Sequence, residues 1–349
     1  MTMITRRNLL LSLPALAVAP HLIPRLSAQQ PRRPPIPVRA LNHMTLTVSD
    51  VKRSVEFYQG LFGMPIQARQ GATVLLRIGA GPQFIAIGAG DGTAKPGIGH
   101  FCMTTENFNP DRLMGILARH GVTKAGGSGG GLSGGPMNAR VHMRLPDRGG
   151  AREGTPELYL GDPDGIVIQL QDTTYCGGGG VLGNLCPLPE PAPTRGVLAV
   201  RDLNHVTMSV TDGPRGAAFY QGLFGLRIHA HQGVNPVLEV GTGVQFVMAN
   251  GLAPGRAAAA SINHACMTMS GFDPDKVLKA LTDFGLKPRG SGPAGPLVHY
   301  VSMRMPDRGG APGGTPELYF TDPDGLVMQL QDTSYCGGGG FLGNVCTGA

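Results

Sequence analysis

The feature that most constrains the fold of this chain is that its sequence repeats. The segment LNHMTLTVSD at residues 41–50 returns as LNHVTMSVTD at 203–212, and FYQGLFGM at 57–64 returns as FYQGLFGL at 219–226. Two later segments also match, MRLPDRGG with MRMPDRGG and GTPELYL with GTPELYF. The protein is therefore an internal duplication. Its 349 residues suit two domains better than one core.

The repeat sets the expected domain boundaries. The first domain is predicted at residues 40–175 and the second at 201–335. Residues 176–200 between them are rich in cysteine, glycine and proline, and a tail rich in cysteine and glycine spans 336–349. A proline-rich lead-in occupies residues 29–39. Proline-rich segments of this kind act as semi-rigid spacers rather than as folded units.

Within one copy, the hydrophobic pattern predicts the order strand, helix, strand, strand, strand, and this order occurs twice. Residues 44–48 alternate in polarity, residues 51–62 carry apolar side chains at helical spacing, and short strands follow. The order restarts with a strand at 97–104 and a helix that opens at Asn109 and Pro110. The sequence thus predicts an α+β fold of four βαβββ modules, two per domain.

The first 28 residues have the features of an export signal. Two arginines at positions 6 and 7 precede an apolar stretch at residues 9–19, and small residues follow at 27–28. A twin arginine in this place is typical of signals that export folded proteins. The alternative is a membrane anchor, but the apolar stretch is short and interrupted by proline. We expect a bacterial periplasmic or extracellular protein that is not inserted stably in a membrane after cleavage.

The charge distribution argues against a nucleic-acid partner. The chain has 29 basic and 23 acidic residues, and three of the basic residues lie in the export signal, which leaves 26 after processing. The remaining basic residues are scattered, and they form neither a platform with aromatic residues nor a charged helix face. The expected partner is a small molecule, and the sequence does not indicate an oligomeric state.

Four of the six cysteines form a repeated pattern. Cys176 and Cys186 lie in YCGGGGVLGNLC, and Cys336 and Cys346 lie in YCGGGGFLGNVC. In an oxidising compartment this pattern predicts two local disulfides, because four glycines allow a short loop to close. A metal site is the alternative, although no histidine lies nearby in the sequence. Each disulfide is expected to contribute about 2–3 kcal/mol in the chain-entropy model.

Three motifs present in both copies resemble the vicinal oxygen chelate superfamily, which includes glyoxalase I, fosfomycin and bleomycin resistance proteins and extradiol ring-cleaving dioxygenases. They are a histidine in the first strand, the FYxxLFG end of the first helix and a DPDG turn before the last strand. The resemblance covers residues 40–335. It implies that two modules form a curved mixed sheet around a cup, with a divalent metal ion in the cup.

The resemblance also implies a set of metal ligands. Two histidines per copy match the family's pattern, one in the first strand and one at the start of the second module: His43, His100, His205 and His264. The family's third ligand is a glutamate in the last strand, but this chain has Gln169 and Gln329 there. An amide oxygen supplies no charge, so a divalent ion (Fe, Mn, Zn, Ni or Cu) would be held more weakly. The alternative is that these are structural histidines, copied by the duplication without a working site.

One glutamate per copy is placed to supply the missing charge. If the last hairpin pairs Tyr159 with Val167 and Glu157 with Gln169, these polar side chains share the face that lines the cup. We therefore expect Glu157 and Tyr159 to take part in catalysis, with the glutamate as a ligand, a partner of a ligand or a general base. The alternative is an ion pair with Arg144. The corresponding residues of the second copy are Glu317, Tyr319 and Arg304.

Among the subfamilies, the four modules and the sequence YLGDPDGIVIQ resemble extradiol dioxygenases most closely. Two parts of their signature are missing, because the glutamate is a glutamine and the histidine shortly before the tyrosine is absent. The favoured function is a metal-dependent, dioxygenase-like enzyme for a small oxygen-rich or aromatic molecule. The alternatives are a protein that binds and sequesters a small molecule without chemistry, and a glyoxalase-type lyase or isomerase.

Two further features allow two interpretations each. Cys102 and Cys266 follow the second-module histidine by two residues, which suits either a small buried apolar residue or a thiolate near the metal. The glycine-rich loops at 124–136 and 287–296 are either lids over the cups or loops without a function of their own.

Overall fold

The computed structural model describes residues 33–90, 94–127, 129–252 and 259–347. Two nine-stranded mixed sheets form the protein, one in each copy of the repeat. The predicted export signal lies outside the described residues. Within the described ranges, no helix is long and apolar enough to cross a membrane.

The first copy forms a sheet with the strand order β2-β3-β4-β1-β5-β9-β8-β7-β6. Its elements are β1 (Val38–Val48), α1 (Val51–Phe62), β2 (Ile66–Gln70), β3 (Thr73–Arg77), β4 (Phe84–Ala89), β5 (Gly97–Thr105), α2 (Pro110–Arg119), β6 (Thr123–Lys124), β7 (Asn138–Arg144), β8 (Thr155–Gly161) and β9 (Val167–Asp172). A short 3-10 helix, Pro146–Arg148, lies between β7 and β8.

The second copy repeats this order as β11-β12-β13-β10-β14-β18-β17-β16-β15. Its elements are β10 (Asp202–Val210), α3 (Gly213–Phe224), β11 (Arg227–Gln232), β12 (Asn235–Glu239), β13 (Phe246–Gly251), β14 (Ser261–Met269), α4 (Pro274–Phe284), β15 (Lys287–Pro288), β16 (Val298–Arg304), β17 (Thr315–Thr321) and β18 (Val327–Asp332). A second 3-10 helix spans Pro306–Arg308.

The two modules of a copy join side by side through their first strands. Strand β1 pairs antiparallel with β5, while β1 pairs parallel with β4 and β5 pairs parallel with β9. The predicted α+β fold of four βαβββ modules is confirmed, with a two-residue strand added in each second module. This arrangement sets the first strands of both modules and the last strand of the copy next to one another.

The repeated FYQGLFG motif is a helix end. Helix α1 begins after Asp50, whose side chain accepts a hydrogen bond from the backbone N–H of Arg53, and it ends at Gly63. Gly63 has a φ of 65°, a left-handed conformation that glycine adopts without steric cost, and its N–H caps the helix. Asp212 and Gly225 serve helix α3 in the same way.

The two copies share one hydrophobic core. Phe57 of α1, in the first copy, packs against Phe284 of α4 and Phe320 of β17, both in the second. The ring centroids are 5.8 and 6.3 Å apart, a normal separation for packed aromatic side chains. Apolar surface of each copy is therefore covered by the other.

The DPDG turn of each copy binds the start of the first helix in the other copy. Asp164 accepts hydrogen bonds from the backbone N–H of Thr211 and from the guanidinium of Arg215. In the reciprocal contact, Asp324 accepts them from Ser49 and Arg53. The repeated turn therefore joins the two domains as well as the last two strands of each sheet.

The predicted local disulfides are confirmed. Cys176 is bonded to Cys186 and Cys336 to Cys346. Each closes a loop of the same length directly after the last strand of its copy.

Candidate functional site

Two imidazole nitrogens and one amide oxygen meet at the base of the first cup. Nε2 of His43 on β1 lies 2.9 Å from Oε1 of Gln169 on β9, and Nε2 of His100 on β5 lies 3.1 Å from the same oxygen. They meet because these strands are neighbours: His43 pairs with Cys102, which pairs with Gln169. All three side chains are at most 5% exposed.

The second cup has the same arrangement. Nε2 of His205 lies 3.0 Å from Oε1 of Gln329 and 3.4 Å from Nε2 of His264. The structure thus brings together, in each copy, the two histidines and the glutamine that the sequence analysis proposed as ligands.

These separations suit three ligands of one metal ion. Ligands about 2.1 Å from an ion and at right angles to one another are about 3.0 Å apart. The amide group adds a second indication, because Nε2 of Gln169 and of Gln329 is buried and has no hydrogen-bond partner. The amide thus turns its acceptor oxygen, not its N–H donors, towards the imidazole nitrogens. Across the described residues, no group of three or more His, Cys, Asp or Glu suits a metal, so the amide oxygen is essential to this donor set.

Neighbouring side chains fix the orientation of the first-strand histidine. Nδ1 of His43 donates to Oδ1 of Asn42 at 2.8 Å, and Asn42 donates through Nδ2 to the carbonyl of Tyr175 at 2.9 Å. This pairing leaves the lone pair of Nε2 facing the centre of the cup, as metal ligation requires. Asn204 holds His205 in the same way in the second cup.

Burial keeps the imidazoles neutral. It lowers the pKa of His43 well below its ordinary value, with the neighbouring His100 as the next cause, and it lowers the pKa of His100 to about 4. In the second copy, burial lowers the pKa of His264 to about 4. A neutral imidazole is the form that binds a metal ion.

The glutamate proposed as the missing charge forms an ion pair with arginine. Oε1 of Glu157 accepts from Nε of Arg144 at 2.7 Å and from the hydroxyl of Tyr175 at 2.9 Å. Its Oε2 accepts from the hydroxyl of Tyr159 at 3.1 Å. The corresponding contacts of the second copy involve Glu317, Arg304, Tyr335 and Tyr319. The pairing that the sequence analysis gave as the alternative is the one found. The carboxylate is held by three donors beside the triad, the name used from here on for the two histidines and the glutamine of each cup.

The predicted register of the last hairpin is wrong by two residues. Tyr159 pairs with Gln169, and the hairpin closes with Gly161 opposite Val167. The cause is the side chain of Asp162, whose Oδ1 accepts two backbone N–H groups inside the turn and so lengthens it. A shift of two residues keeps the same side chains on the cup face, because side chains alternate along a strand.

A further histidine of the first cup was not found from the sequence. His142 of β7 lines this cup, and its ring lies 5.4 Å from the ring of Tyr159. Its Nε2 donates to the carbonyl of Leu132, which also lines the cup. The available signal was a difference between the copies, since the matching residue of the second is Ser302.

The two cups differ in size. The cavity of the first is about 170 Å³ and that of the second about 50 Å³. Met248 and Asn250 line the second cup at the positions that Ala86 and Gly88 occupy on β4. Larger side chains have therefore filled the second cup.

The two free cysteines lie beneath the triads. Cys102 and Cys266 are fully buried, and burial raises the pKa of each thiol well above its ordinary value. Metal binding requires a thiolate, and a buried thiol with a raised pKa stays protonated. The structure therefore favours the interpretation of both cysteines as small apolar residues.

Comparison with known proteins identifies the fold. Residues 40–170 match the Glyoxalase/Bleomycin resistance protein/Dioxygenase superfamily. No curated protein sequence matches the chain. One similar solved structure is homoprotocatechuate 2,3-dioxygenase from Brevibacterium fuscum in complex with 3,4-dihydroxyphenylacetate. It has a TM-score of 0.57 and 14% identity over 91% of this chain and 86% of that one.

A second similar structure is the 2,3-dioxygenase LapB from Pseudomonas sp. KL28, with a TM-score of 0.53 and 15% identity. The alignment covers 84% of this chain and 92% of that one. At these identities the solved structures establish the fold alone. Together with the family match, they confirm the resemblance inferred from the motifs: residues 40–170 form a domain of the glyoxalase/bleomycin resistance protein/dioxygenase superfamily, and the second half of the chain repeats its fold.

Proposed function

We propose that this protein is an exported, metal-dependent enzyme of the dioxygenase type, acting on a small aromatic or oxygen-rich molecule. The observation that carries the proposal is the convergence of Nε2 of His43, Nε2 of His100 and Oε1 of Gln169 in a polar cup. The fold shared with dioxygenases, one of them bound to 3,4-dihydroxyphenylacetate, supports an aromatic substrate. The two disulfides support export, because such bonds persist in oxidising compartments.

His43, His100 and Gln169 would hold the ion in the first cup, and His205, His264 and Gln329 in the second. A bound divalent ion would act as a Lewis acid towards adjacent oxygens of the substrate. Three neutral donors leave the two positive charges of the ion uncompensated. The site is therefore weaker than one with a carboxylate, and more dependent on the charge of its substrate.

The remaining polar side chains of the first cup have different tasks. The ion pair of Arg144 and Glu157 fixes the hydroxyls of Tyr159 and Tyr175, so these groups keep one orientation. His142 is the candidate general acid or base, because the other two histidines of the cup face the amide oxygen and Glu157 is already held by three donors.

The first cup is the proposed reaction site. Its cavity is more than three times as large as that of the second, and it alone has a histidine at the position of His142. A substrate ring would have to displace Met248 to enter the second cup. The second copy then serves mainly to complete the shared core.

One observation favours a second candidate, a protein that binds a small molecule without a metal. If the amide of Gln169 were turned over, its N–H groups would donate to both imidazole nitrogens and would no longer lack a partner. The cup would then be a satisfied polar pocket with no need of an ion.

Metal content separates the two candidates. We expect protein purified from the exported fraction without chelators to bind Fe(II), Mn(II) or Zn(II), measured by elemental analysis and calorimetric titration. His43→Ala should remove the ion of the first cup, and the matched variant His205→Ala that of the second. A wild-type protein that binds none of these ions would favour the metal-free binding protein, and so would a wild type whose metal content is unchanged in both alanine variants.

A further inference from the structure

The repeated PDRGG motif, which the triad does not use, places one arginine at the mouth of each cup. Arg148 ends the 3-10 helix after β7 and lines the first cup together with Gln70 and Thr73. Arg308 ends the equivalent helix and lines the second cup. The motif is therefore part of the wall of both cavities.

The backbone that carries Arg148 is rigid. Its N–H donates to the carbonyl of Leu145, and its own carbonyl accepts from the buried guanidinium of Arg144 at 3.4 Å. A Cβ on Gly150 would lie 1.7 Å from the carbonyl oxygen of Arg144, so only glycine fits this close approach. The ion pair beneath the cup thus also fixes the turn that presents the arginine.

The side chain of Arg148 lies close to the turn between β2 and β3. A Cβ added to Gly71 in that turn would lie 3.7 Å from Cγ of Arg148. Since Gln70 and Thr73 flank this turn and also line the cup, the guanidinium has uncharged hydrogen-bonding groups beside it. Gln70 is itself held by the hydroxyl of Tyr175 and the carbonyl of Gly177.

The guanidinium at the mouth forms no ion pair in the part of the chain that the structure describes. Among the described residues, no carboxylate forms an ion pair with Arg148 or Arg308. The other charges at the first cup cancel, because Glu157 is paired with Arg144. The cup is thus positive even before a divalent ion joins three neutral donors, and it favours an anion.

We propose that the substrate of the first cup carries a carboxylate in addition to the oxygens that face the triad, and that Arg148 selects it. A guanidinium presents two parallel N–H donors that match the two oxygens of a carboxylate. This inference rests on the proposed function, and it names the class of substrate: a small aromatic acid whose carboxylate lies at the mouth of the cup and whose other oxygens face the two histidines and the glutamine.

The test compares 3,4-dihydroxybenzoate with its methyl ester, which has nearly the same shape and no charge. Binding of each compound to zinc-loaded protein is measured by calorimetry without oxygen, so that no turnover is needed. We expect the acid to bind about tenfold more tightly or better, since charge-assisted hydrogen bonds are the strong ones. The preference should decrease as salt concentration rises.

Three variants identify the residue responsible. Arg148→Gln should reduce the preference for the acid to within about twofold. Arg148→Lys should retain part of the preference, because lysine keeps the charge but not the two parallel N–H donors of the guanidinium. Arg308→Gln is the matched control and should leave the preference unchanged, since the second cup is too small for the ring. Arg148 is exposed, so its replacement does not threaten folding.

Equal binding of acid and ester to the wild type would overturn this inference and leave the proposed function standing. An Arg148→Gln variant in which the affinities for acid and ester decrease by the same factor would also overturn it. The arginine would then contribute to binding through its shape and would not select the charge of the ligand. Failure of both compounds to bind a zinc-loaded protein would overturn the inference and the proposed function together.

Discussion

At the scale of single residues, the central question is why glutamine occupies the last-strand position. Gln169 offers an oxygen to two imidazole nitrogens while its own N–H groups have no partner. A carboxylate in the same place would have no unsatisfied donor and would bring a negative charge. Glutamine at this position therefore lowers the affinity for a metal ion and makes the cup more positive. A more positive cup suits an anionic substrate.

Gln169→Glu should tighten the binding of Zn(II) or Mn(II) to the first cup at least about tenfold, because a carboxylate close to a divalent ion in a partly dry site gains more Coulomb energy than in water. Calorimetric titration in the His205→Ala background would report the first cup alone. Gln329→Glu, titrated in the His43→Ala background, is the matched variant. Unchanged affinity in both would show that the amide oxygen is not a ligand.

Glu157→Gln should have the opposite effect, although Glu157 does not face the triad directly. Its loss leaves Arg144 buried and unpaired, which costs stability by about 3–5 kcal/mol and repels a cation in the cup. Replacing Arg144 by methionine at the same time should recover part of both losses. Denaturant unfolding and the same metal titration would measure the two effects.

Much of the site could be predicted at this scale, and the rest could not for a physical reason. His43, His100 and Gln169 occupy the positions of the metal ligands in the family that the sequence resembles, and they recur in the second copy, so the resemblance indicated them. His142 reaches the cup because β7 pairs with β8 and extends the sheet around it, and neither the repeat nor the family resemblance marked this histidine, since the second copy has Ser302 there. The register error had another cause, since Asp162 lengthens its turn through side-chain hydrogen bonds.

At the scale of structural elements, the disulfide loops are linked to the triad. Cys176 follows Tyr175, whose carbonyl holds Asn42 and thereby orients His43. Cys336 follows Tyr335, which holds Asn204 in the same way. The disulfide loops consequently support the site as well as the fold.

Replacing Cys176 and Cys186 by serine should lower the free energy of unfolding by about 2–3 kcal/mol, because the open loop regains entropy in the unfolded chain. The same change at Cys336 and Cys346 should cost nearly the same, since both loops have equal length. Chemical denaturation of each variant gives these values, and mass spectrometry of the wild type should find no free thiol at the four positions. A loss below about 0.5 kcal/mol in both variants would contradict the entropic account.

The elements themselves followed from the sequence where their signals are local. Both FYQGLFG helix ends, the alternating first strands and the cysteine loops have residue patterns that determine a short stretch of backbone. The two-residue strands β6 and β15 carry no such pattern. They form because β6 pairs with the neighbouring strand β7, and β15 with β16.

At the scale of the whole molecule, two buried aspartates make stability depend on pH. Burial raises the pKa of Asp162 and of Asp322 from 3.8 to about 6. The carboxyl of Asp162 contacts the hydroxyl of Tyr220, and that of Asp322 contacts Tyr58, so each lies where one copy packs on the other. The folded protein binds these protons more tightly than the unfolded chain does.

The stability that these protons supply is therefore complete below about pH 4 and is lost as the pH rises through about 6. Asp162→Asn and Asp322→Asn keep the side-chain oxygen that accepts backbone N–H groups in the turn, but they do not ionise. The double variant should therefore show a smaller decrease in the free energy of unfolding between pH 4 and 6. Denaturant unfolding across that range measures the slope. The exposed Asp307→Asn is the control, and an unchanged slope in the double variant would contradict the assignment.

The packing of one copy on the other was beyond the sequence analysis. The duplication predicts two similar domains, but nothing in the local pattern reveals that Phe57 meets Phe284 and Phe320 across the boundary. Surface complementarity of this kind depends on the finished shape of both domains.

The exchange of DPDG turns between the copies has a consequence for the origin of the protein. Asp164 binds Arg215, and Asp324 binds Arg53, so each copy receives the contact that it gives. Such a relation is that of an isologous dimer. A half-length ancestor with one copy would have formed a homodimer with two identical cups, in which any mutation altered both. Two copies in one chain are free of that obligation, so one cup can be filled by Met248 while the other keeps a larger cavity.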